Sequence, residues 1–330
     1  MQYRIFGKTD LKVSEIGFGA WAIGGNAMVG NTPIGWGKAD DSVSIQAIHA
    51  ALDAGINFFD TADFYGLGHS ESILGKTLAR NKEIIFATKV GHRNVNETIR
   101  LDYSKQYILQ ACEQSLKRLQ KDCIDYYQLH SARLEHFEKE ACIEAMELLK
   151  QQGKIRYWGL SLNTFYPAPE ADLLMSRKAG DGFQMVFNII NQKALPVLNK
   201  AAENGYGVIA RMPLQFGLLT GKFSASTSFS TDDHRSFRLT TEILKASIKT
   251  LEEQVWPLCN KYNISKTALA HSFILSYDAV STVIPGLRTP QQIKDNVTGI
   301  VQLNAEDIEH LEKTFSNYFT DILDLMEKQG

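Results

Sequence analysis

The chain has 330 residues, of which 44% are hydrophobic and 22% are charged, and its formal net charge is −2. This length can bury a sizeable core, and the nearly balanced charge gives no reason to expect a nucleic acid or a membrane surface as partner. No apolar run approaches the ~18 residues of a membrane span, and the N-terminus lacks the pattern of a signal peptide. The four cysteines form no CxxC pair, so we expect reduced thiols, no metal site and a cytoplasmic location.

Short apolar runs alternate with amphipathic stretches along almost the entire chain. The runs predict strands at residues 15–19, 56–60, 84–88, 124–129, 156–160, 183–187, 208–211 and 280–284. Helical periodicity between the runs predicts helices that include residues 41–54, 105–119, 137–150 and 266–276. This alternation favours an α/β fold, a parallel (β/α)8 barrel of the TIM type, formed as one domain by residues 1–330. We expect an N-terminal hairpin before the barrel and an extra C-terminal helix at residues 307–325.

Three long segments without a clear period follow strand ends, at residues 24–38, 91–104 and 212–239. The loops that follow the strands form the active-site face of a parallel barrel. We therefore expect these segments at the rim of a substrate pocket, the alternative being disordered surface insertions.

Gly17, Gly19 and Ala22 fit the GxGxxA pattern of a dinucleotide-binding turn. That pattern requires a helix directly afterwards, because the helix N-terminus holds the pyrophosphate. The segment IGGNAMVGNTPIGWG follows instead and is typical of a loop. The sequence therefore does not favour a dinucleotide site at this point.

Four polar residues lie at or just after the ends of successive predicted strands: Asp60, Tyr65, Lys89 and His130. A tyrosine with a pKa near ~10 is a weak acid, and a nearby ammonium favours its ionisation. An aspartate can hold that ammonium, and a histidine can polarise the reacting oxygen. Each residue has a structural alternative, as a turn cap, an ordinary aromatic, a solvent-facing lysine or a core histidine. Their joint placement favours a catalytic group.

Seven stretches along the chain resemble the aldo-keto reductases: GINFFDTADFYG, GHSESILGKTL, FATK, SLKRLQKDCIDYYQLH, GKIRYWGLS, PLQFGLLTGK and IPGLRTPQQIKDN. The resemblance covers nearly the whole chain, and the family's tetrad falls on the four polar residues just named. It implies a (β/α) barrel, a nicotinamide cofactor and the reversible reduction of aldehydes or ketones. It further implies hydride transfer to the carbonyl carbon, with Tyr65 as the proton donor and Lys89 lowering the tyrosine pKa.

The resemblance also implies cofactor contacts along the strand ends. Ser161, Asn163 and Gln184 match carboxamide-binding positions, and serine and glutamine can both donate and accept hydrogen bonds to an amide. Leu162 stands where the family often has asparagine. Further cofactor contacts are expected from Ala20 and Trp21 near the first strand, and from a segment resembling the family's pyrophosphate loop, with a plain turn as the alternative, at Pro213, Leu214, Gly217, Leu219 and Lys222.

The segment IPGLRTPQQIKDN predicts a helix start, because threonine followed by proline suits the N-cap and first helical positions. Gly286 and Arg288 then precede a helix N-terminus, where anions bind readily. Gln292 and Asn296 share one helical face and are expected near the adenine. By resemblance the family holds the adenosine 2′-phosphate here. Arg288 alone supplies positive charge, so we expect NADPH or NADP⁺, with NADH as the alternative.

Many relatives carry an aromatic residue against the nicotinamide where this chain has Arg211. A flat guanidinium can also stack on a ring, and the alternative is an ion pair with a carboxylate at the barrel rim. Trp36 and His92 are further candidates, for contact with the substrate. We expect a small-molecule carbonyl or alcohol as partner and a monomer or weak homo-oligomer; the alternative function is a cofactor-binding redox sensor or regulatory subunit with little turnover.

Overall fold

The computed structural model describes residues 1–35, 37, 39–230, 233 and 235–329. Eight parallel strands form one sheet in which each strand lies beside its neighbour in the chain. These strands, β1 to β8, are Phe18–Gly19, Phe58–Asp60, Ile85–Val90, Ile124–His130, Ile155–Ser161, Gly182–Val186, Gly207–Arg211 and Thr282–Ile284. Parallel bridges from Ile16 to Val283 and from Gly19 to Gly286 join the first strand to the last. The predicted parallel barrel is therefore confirmed.

Helices surround the barrel and separate most of its strands. In chain order, helices α1 to α13 are Asp41–Asp53, His69–Leu78, Lys105–Leu119, Ala141–Gln151, Ala168–Ser176, Leu195–Glu203, Arg235–Arg238, Thr241–Thr250, Pro257–Tyr262, Lys266–Leu275, Pro290–Val297, Ala305–Thr314 and Thr320–Lys328. The predicted bounds of α3 match, and those of α1 and α10 differ by one residue at the end. None of the helices in the described part of the chain has the length and apolar character that crossing a membrane requires.

Helix α3 shows why such segments form where the periodicity predicts them. Its buried positions include Ile108, Ala111 and Cys112, at the three- and four-residue spacing of one helical face. The Ser104 side chain accepts a hydrogen bond from the backbone N–H of Tyr107 and caps the first turn. The helix thus packs one face against the barrel and begins at a residue that satisfies its free N–H groups.

The N-terminal hairpin, Tyr3–Ile5 paired with Lys12–Ser14, closes one end of the barrel. Phe6 in its turn is fully buried and packs edge-on against Tyr126, at 4.8 Å between ring centroids. A Cβ at Gly182 or Gly207, the first residues of β6 and β7, would lie 2.5 Å from the Phe6 ring. Glycine is therefore required where the hairpin enters the N-terminal end of the barrel, and the site must form at the other end.

Several segments expected to lack regular structure contain short elements. Residues 91–104 include an antiparallel hairpin, His92–Val95 with Thr98–Leu101. Residues 24–38 include the short pair Met28–Val29 and Thr32–Pro33. Residues 212–239 include a 3-10 segment, Gln215–Thr220, and α7. These pairings join residues within one segment, and their strands are too short to show an alternation pattern.

Two predicted helices have different bounds. The helix expected at 137–150 begins at Ala141, because Phe137 ends a separate 3-10 turn and Glu140 adopts a left-handed conformation with φ 55°. The C-terminal helix expected at 307–325 is a longer run from Ala305 to Lys328, interrupted by a π-helical turn at Phe315–Phe319. Apolar periodicity located both helices but did not detect these local changes in backbone.

Candidate active site

Four polar residues meet at the C-terminal end of the barrel. Asp60 ends β2, Lys89 lies one residue before the end of β3, and His130 ends β4. Tyr65 follows β2 in the loop that leads to α2. Because neighbouring parallel strands end at the same edge, residues distant in sequence come together there.

The Lys89 ammonium is buried at the centre of this group. Its Nζ donates to Asp60 Oδ1 at 2.5 Å, to the carbonyl oxygen of Thr61 at 2.8 Å and to the Tyr65 hydroxyl at 3.3 Å. Burial acts to lower the pKa of Lys89, but Asp60 and Tyr65 outweigh it and the pKa is raised. Lys89 therefore stays charged, with each of its three protons directed at an acceptor.

Asp60 is held from two further strands. The side-chain amides of Gln128 and Gln184 donate to Asp60 Oδ2 at 3.0 and 2.8 Å, and Gln184 also donates to Gln128 Oε1 at 3.2 Å. Gln128 was missed by the sequence analysis, although it shares a strand face with His130 two residues later. Gln184, expected at the cofactor carboxamide, directs its amide nitrogen to Asp60.

The Tyr65 hydroxyl retains its proton in this environment. Burial raises the pKa of Tyr65, and the opposing effect of Lys89 does not compensate. Lys89 thus acts in the expected direction, but the net shift is upward because desolvation of the phenolate is the larger effect. The ring stacks on Trp21 at 5.9 Å and meets His130 edge-on, also at 5.9 Å between ring centroids.

Two neutral histidines lie side by side next to Tyr65. The rings of His92 and His130 are 4.4 Å apart between centroids. Burial lowers the pKa of His92 to about 4. Burial lowers the pKa of His130 well below its usual value, and the nearby charges of Lys89 and Arg211 add to that effect, as would a proton on His92. Both imidazoles are therefore neutral near pH 7.

Arg211 ends β7 and faces the same space. Its Nη2 donates to the carbonyl oxygen of Leu162 at 3.1 Å and to Thr164 Oγ1 at 3.2 Å, and its Nη1 lies 3.3 Å from Met212 Sδ. The buried Nε has no hydrogen-bond partner among the described residues. Within the described part of the chain no carboxylate pairs with this guanidinium, so the alternative of an ion pair at the rim is not observed.

Ser161 and Gln184 lie in register with His130 across three adjoining strands. Ser161 is buried, 2% exposed, at the end of β5. The Asn163 side chain stabilises a turn and does not extend into open space, because its Oδ1 accepts from the backbone N–H groups of Phe165 and Tyr166 at 2.7 and 3.0 Å.

The segment after β7 has an unusual backbone. Gln215, Phe216 and Gly217 all have positive φ, at 43°, 55° and 98°. Asn188 holds this turn, because its side-chain amide donates to the carbonyl oxygen of Met212 at 2.9 Å and to Gln215 Oε1 at 2.8 Å. The expected cofactor residues of this segment include buried Pro213 and Leu219, half-buried Leu214 and Gly217, and exposed Lys222.

The helix start predicted after β8 is present. Thr289 is the N-cap of α11, with its Oγ1 accepting from the backbone N–H of Gln292 at 3.2 Å. Gln292 Oε1 in turn accepts from the backbone N–H of Arg288 at 2.9 Å. Gly286 is exposed, and among the described residues other than Gly286 and its two chain neighbours no atom lies within 4 Å of where a Cβ would stand. Asn296 is only 5% exposed and bonds to His271 at 2.7 Å, so its side chain faces the interior.

Ala20 and Trp21, two of the remaining predicted contacts, directly follow β1. The backbone N–H of Ala20 donates to the carbonyl oxygen of Asp60 at 2.8 Å, and Trp21 Nε1 donates to the carbonyl oxygen of Ile34 at 2.9 Å. Trp36 lies outside the described residues. His92 is brought to the tetrad, as described above.

Comparison with known proteins identifies the family of this chain. The model of the aldo/keto reductase family matches residues 15–315, and the chain belongs to that family. It is similar to the uncharacterized oxidoreductase YqkF of Bacillus subtilis, at 32% identity with 94% of this chain and 96% of the relative covered.

Two solved structures have the same fold. The holo form of aldo-keto reductase AKR11C1 from Bacillus halodurans superposes with a TM-score of 0.76 at 30% identity, covering 95% of this chain and 96% of that one. The glycerol dehydrogenase AKR11B4 from Gluconobacter oxydans gives a TM-score of 0.82 at 29% identity, with 96% of each chain covered. The chain is therefore an oxidoreductase, from a family that uses nicotinamide cofactors.

The residues at the barrel mouth fit such a cofactor. Arg211 Nε is a buried donor that still needs an acceptor. Gly286 leaves open space beside the N-terminus of α11, which attracts anionic groups. Consecutive left-handed residues at Phe216 and Gly217 turn the backbone sharply between β7 and α7, and such turns can direct N–H groups to a phosphate.

Proposed function

We propose that this chain is an NADP(H)-dependent enzyme that reversibly reduces an aldehyde or ketone to an alcohol, with Tyr65 as general acid. The observation that carries the proposal is the position of the Tyr65 hydroxyl, 3.3 Å from an ammonium that is itself buried against Asp60. A neutral phenol next to a permanent cation can donate its proton and leave a stabilised phenolate.

Each residue of the site has a separate role in the proposed reaction. A bound nicotinamide cofactor supplies the hydride that adds to the carbonyl carbon. Tyr65 gives its proton to the carbonyl oxygen, and the Lys89 charge stabilises the phenolate that remains. Asp60, held by Gln128 and Gln184, keeps Lys89 in place. Neutral His130 donates a hydrogen bond to the reacting oxygen without competing for the proton.

NADPH is the proposed cofactor, and NADH is the alternative. Arg288 is exposed, directly before the N-terminus of α11, where helix and side chain can both attract a 2′-phosphate. We assign Ser161 to the carboxamide of the cofactor and Arg211 to its nicotinamide ring. We place the enzyme in the cytoplasm as a monomer or weak homo-oligomer, and its free cysteines agree with a reducing compartment.

A turnover assay separates this proposal from the alternative of a redox-sensing or regulatory subunit. We expect purified protein to oxidise NADPH when 4-nitrobenzaldehyde is added, and to use NADH less efficiently. Cofactor binding without measurable turnover of any carbonyl compound would support the regulatory alternative. A preference for NADH would overturn the role of Arg288.

A further inference from the structure

The hairpins in the loops after β1 and β3 touch each other at their turns. A Cβ at Gly30, in the turn of the first hairpin, would lie 2.5 Å from the carbonyl oxygen of Glu97, in the turn of the second. Because β2 lies between β1 and β3 in the barrel, this contact passes across the loop that carries Tyr65. The base of the first hairpin rests on the same loop, since a Cβ at Gly24 would lie 2.9 Å from the backbone nitrogen of Gly66.

The hairpin after β3 is anchored to the rest of the fold. Its strands form four residue pairs, and the backbone N–H of Asp102 donates to the carbonyl oxygen of Gly91 at 2.8 Å. Arg93 Nη1 donates to Asp102 Oδ2 at 2.6 Å, and the same guanidinium lies over the Tyr107 ring of α3, 4.5 Å from its centroid. This hairpin therefore gives the first one a fixed surface to close against.

The hairpin after β1, residues 25–35, has fewer attachments. Its strands form two residue pairs, and Trp21 Nε1 donates to the carbonyl oxygen of Ile34 at its base. None of the hydrogen bonds between described residues joins it to the hairpin after β3. It begins and ends with Gly25 and Gly35, and small residues of this kind often serve as hinges. Separating the two turns therefore breaks van der Waals contacts but no hydrogen bond.

The first hairpin has one apolar side that is covered and one that is not. Val29 and Ile34 are 1% and 8% exposed, whereas Met28 is 46% exposed. Val29 and Ile34 belong to neither of the hydrophobic clusters that the described residues form in and around the barrel. Their burial thus comes from the hairpin lying against the mouth, and it favours that closed position.

We propose that residues 25–35 form a lid, which closes against Glu97 across the Tyr65 loop and opens to admit the carbonyl substrate. Burial of Val29 holds the lid closed, and the glycines at its base allow it to open. The closed lid keeps water away from the reacting groups. The role in substrate access rests on the proposed carbonyl reduction, whereas the motion itself does not.

Amide hydrogen exchange, measured by mass spectrometry, tests the motion. Val29→Ala removes buried apolar area, and Gly30→Ala places a methyl group against the Glu97 carbonyl. Both should speed exchange in peptides covering residues 25–35 by about fivefold or more, equivalent to about 1 kcal/mol. Met28→Ala, on the exposed side, is the matched control for Val29→Ala and should exchange like wild type.

Gly37→Ala is the matched control for Gly30→Ala. Both glycines have positive φ, at 82° and 55°, so an alanine is strained at either position. A Cβ at Gly37 would meet no atom within 4 Å among the described residues other than its chain neighbours, so only Gly30→Ala disturbs the contact between the hairpins. Faster exchange in Gly37→Ala to the same extent would assign the effect to strain and overturn the proposal.

Turnover tests whether opening limits access. NADPH oxidation is compared for benzaldehyde and for the bulkier 9-anthraldehyde, which requires a wider opening. The kcat/KM ratio of the bulky to the small aldehyde should rise about fivefold in Val29→Ala and Gly30→Ala. The ratio should stay unchanged in Met28→Ala and Gly37→Ala.

The two measurements separate failure of the inference from failure of the proposed function. Exchange of residues 25–35 at one rate in wild type and all four variants would show that no lid exists. Faster exchange in Val29→Ala and Gly30→Ala with an unchanged aldehyde ratio would show that the hairpin moves without controlling access, which also overturns the proposal. If wild type reduces neither aldehyde, the proposed function is wrong, and the exchange rates still decide whether the hairpin opens.

Discussion

Tyr65 is the side chain on which the proposed chemistry depends most directly. Tyr65→Phe keeps the ring and its stacking on Trp21, at 5.9 Å, but removes the proton. General acid catalysis contributes about 10²–10⁴-fold, so kcat should fall by at least the lower value. NADPH affinity, measured by fluorescence titration, should hardly change, because the hydroxyl is assigned to the carbonyl. Near-normal turnover would contradict its role as proton donor.

Arg211 adds a second positive charge to the space around Tyr65. Its charge opposes the burial-driven rise in the pKa of Tyr65 and adds to the lowering of the pKa of His130, as expected of a cation near both side chains. The oxidised nicotinamide is positive and the reduced form is neutral, so a fixed cation disfavours NADP⁺. At 4 Å and an effective dielectric of 20 the raw repulsion is about 4 kcal/mol, which screening and delocalisation reduce to about 1 kcal/mol.

Titration of both cofactor forms tests this effect. The ratio of the NADP⁺ and NADPH dissociation constants should fall about fivefold in Arg211→Tyr. The control is Arg100→Tyr, at an exposed position of the hairpin after β3, which should leave the ratio unchanged. An unchanged ratio in Arg211→Tyr would mean that the guanidinium does not act on the nicotinamide.

The turn after β7 depends on a neighbouring loop for its shape. Left-handed Gln215 and Phe216 each cost of order 1–3 kcal/mol unless the surroundings hold them. Asn188, fully buried, supplies two of the hydrogen bonds that do so. Asn188→Ala should lower the free energy of unfolding by about 2 kcal/mol and weaken NADPH binding about tenfold.

A neighbouring residue separates lost stability from lost positioning. Asn191 is equally buried, but its amide donates to the carbonyl oxygen of Thr164, at 3.3 Å, and not to the turn. Asn191→Ala should therefore lose comparable stability in urea unfolding while binding NADPH nearly as wild type. Equal losses of affinity in both variants would mean that Asn188 acts only through general stability.

The stability of the entire fold should depend on pH through buried histidines. Burial lowers the pKa of His271 to about 4, although its bond to Asn296 opposes the shift, whereas an unfolded chain binds that proton near pH 6.5. Between these values the unfolded chain holds more protons, so stability is lost as pH falls from 6.5 through 4. The full effect is about 3 kcal/mol. His92 and His130 shift in the same direction.

Urea unfolding between pH 7 and 4.5 measures this dependence. His271→Gln removes the titrating group, so its free energy of unfolding should fall less steeply with acid than that of wild type. The starting stability of the variant does not affect the comparison, because the slope is the measured quantity. Identical slopes would show that His271 does not contribute to the acid sensitivity of the fold.

The amino-acid sequence was sufficient for features that depend on local order along the chain. The alternation of short apolar runs with amphipathic helical stretches predicted the strands and the barrel. Thr289 followed by Pro290 predicted the start of α11. Parallel strands align their C-terminal ends, so Asp60, Lys89 and His130 could be expected together before any contact was known. These inferences work because, in a helix or a strand, the spacing between two residues determines whether their side chains point in the same direction.

The tertiary structure decided features that depend on contacts between distant segments. Gln128 and Gln184 form hydrogen bonds with Asp60 across 68 and 124 residues of sequence, and no local sequence pattern predicts those hydrogen bonds. Asn296 turns inward because His271 offers it a buried partner. The pKa of Tyr65 rises, despite Lys89, because desolvation depends on what surrounds the hydroxyl in three dimensions. Burial and hydrogen bonds between distant residues arise only when the chain has folded, so the spacing of residues in the sequence could not predict them.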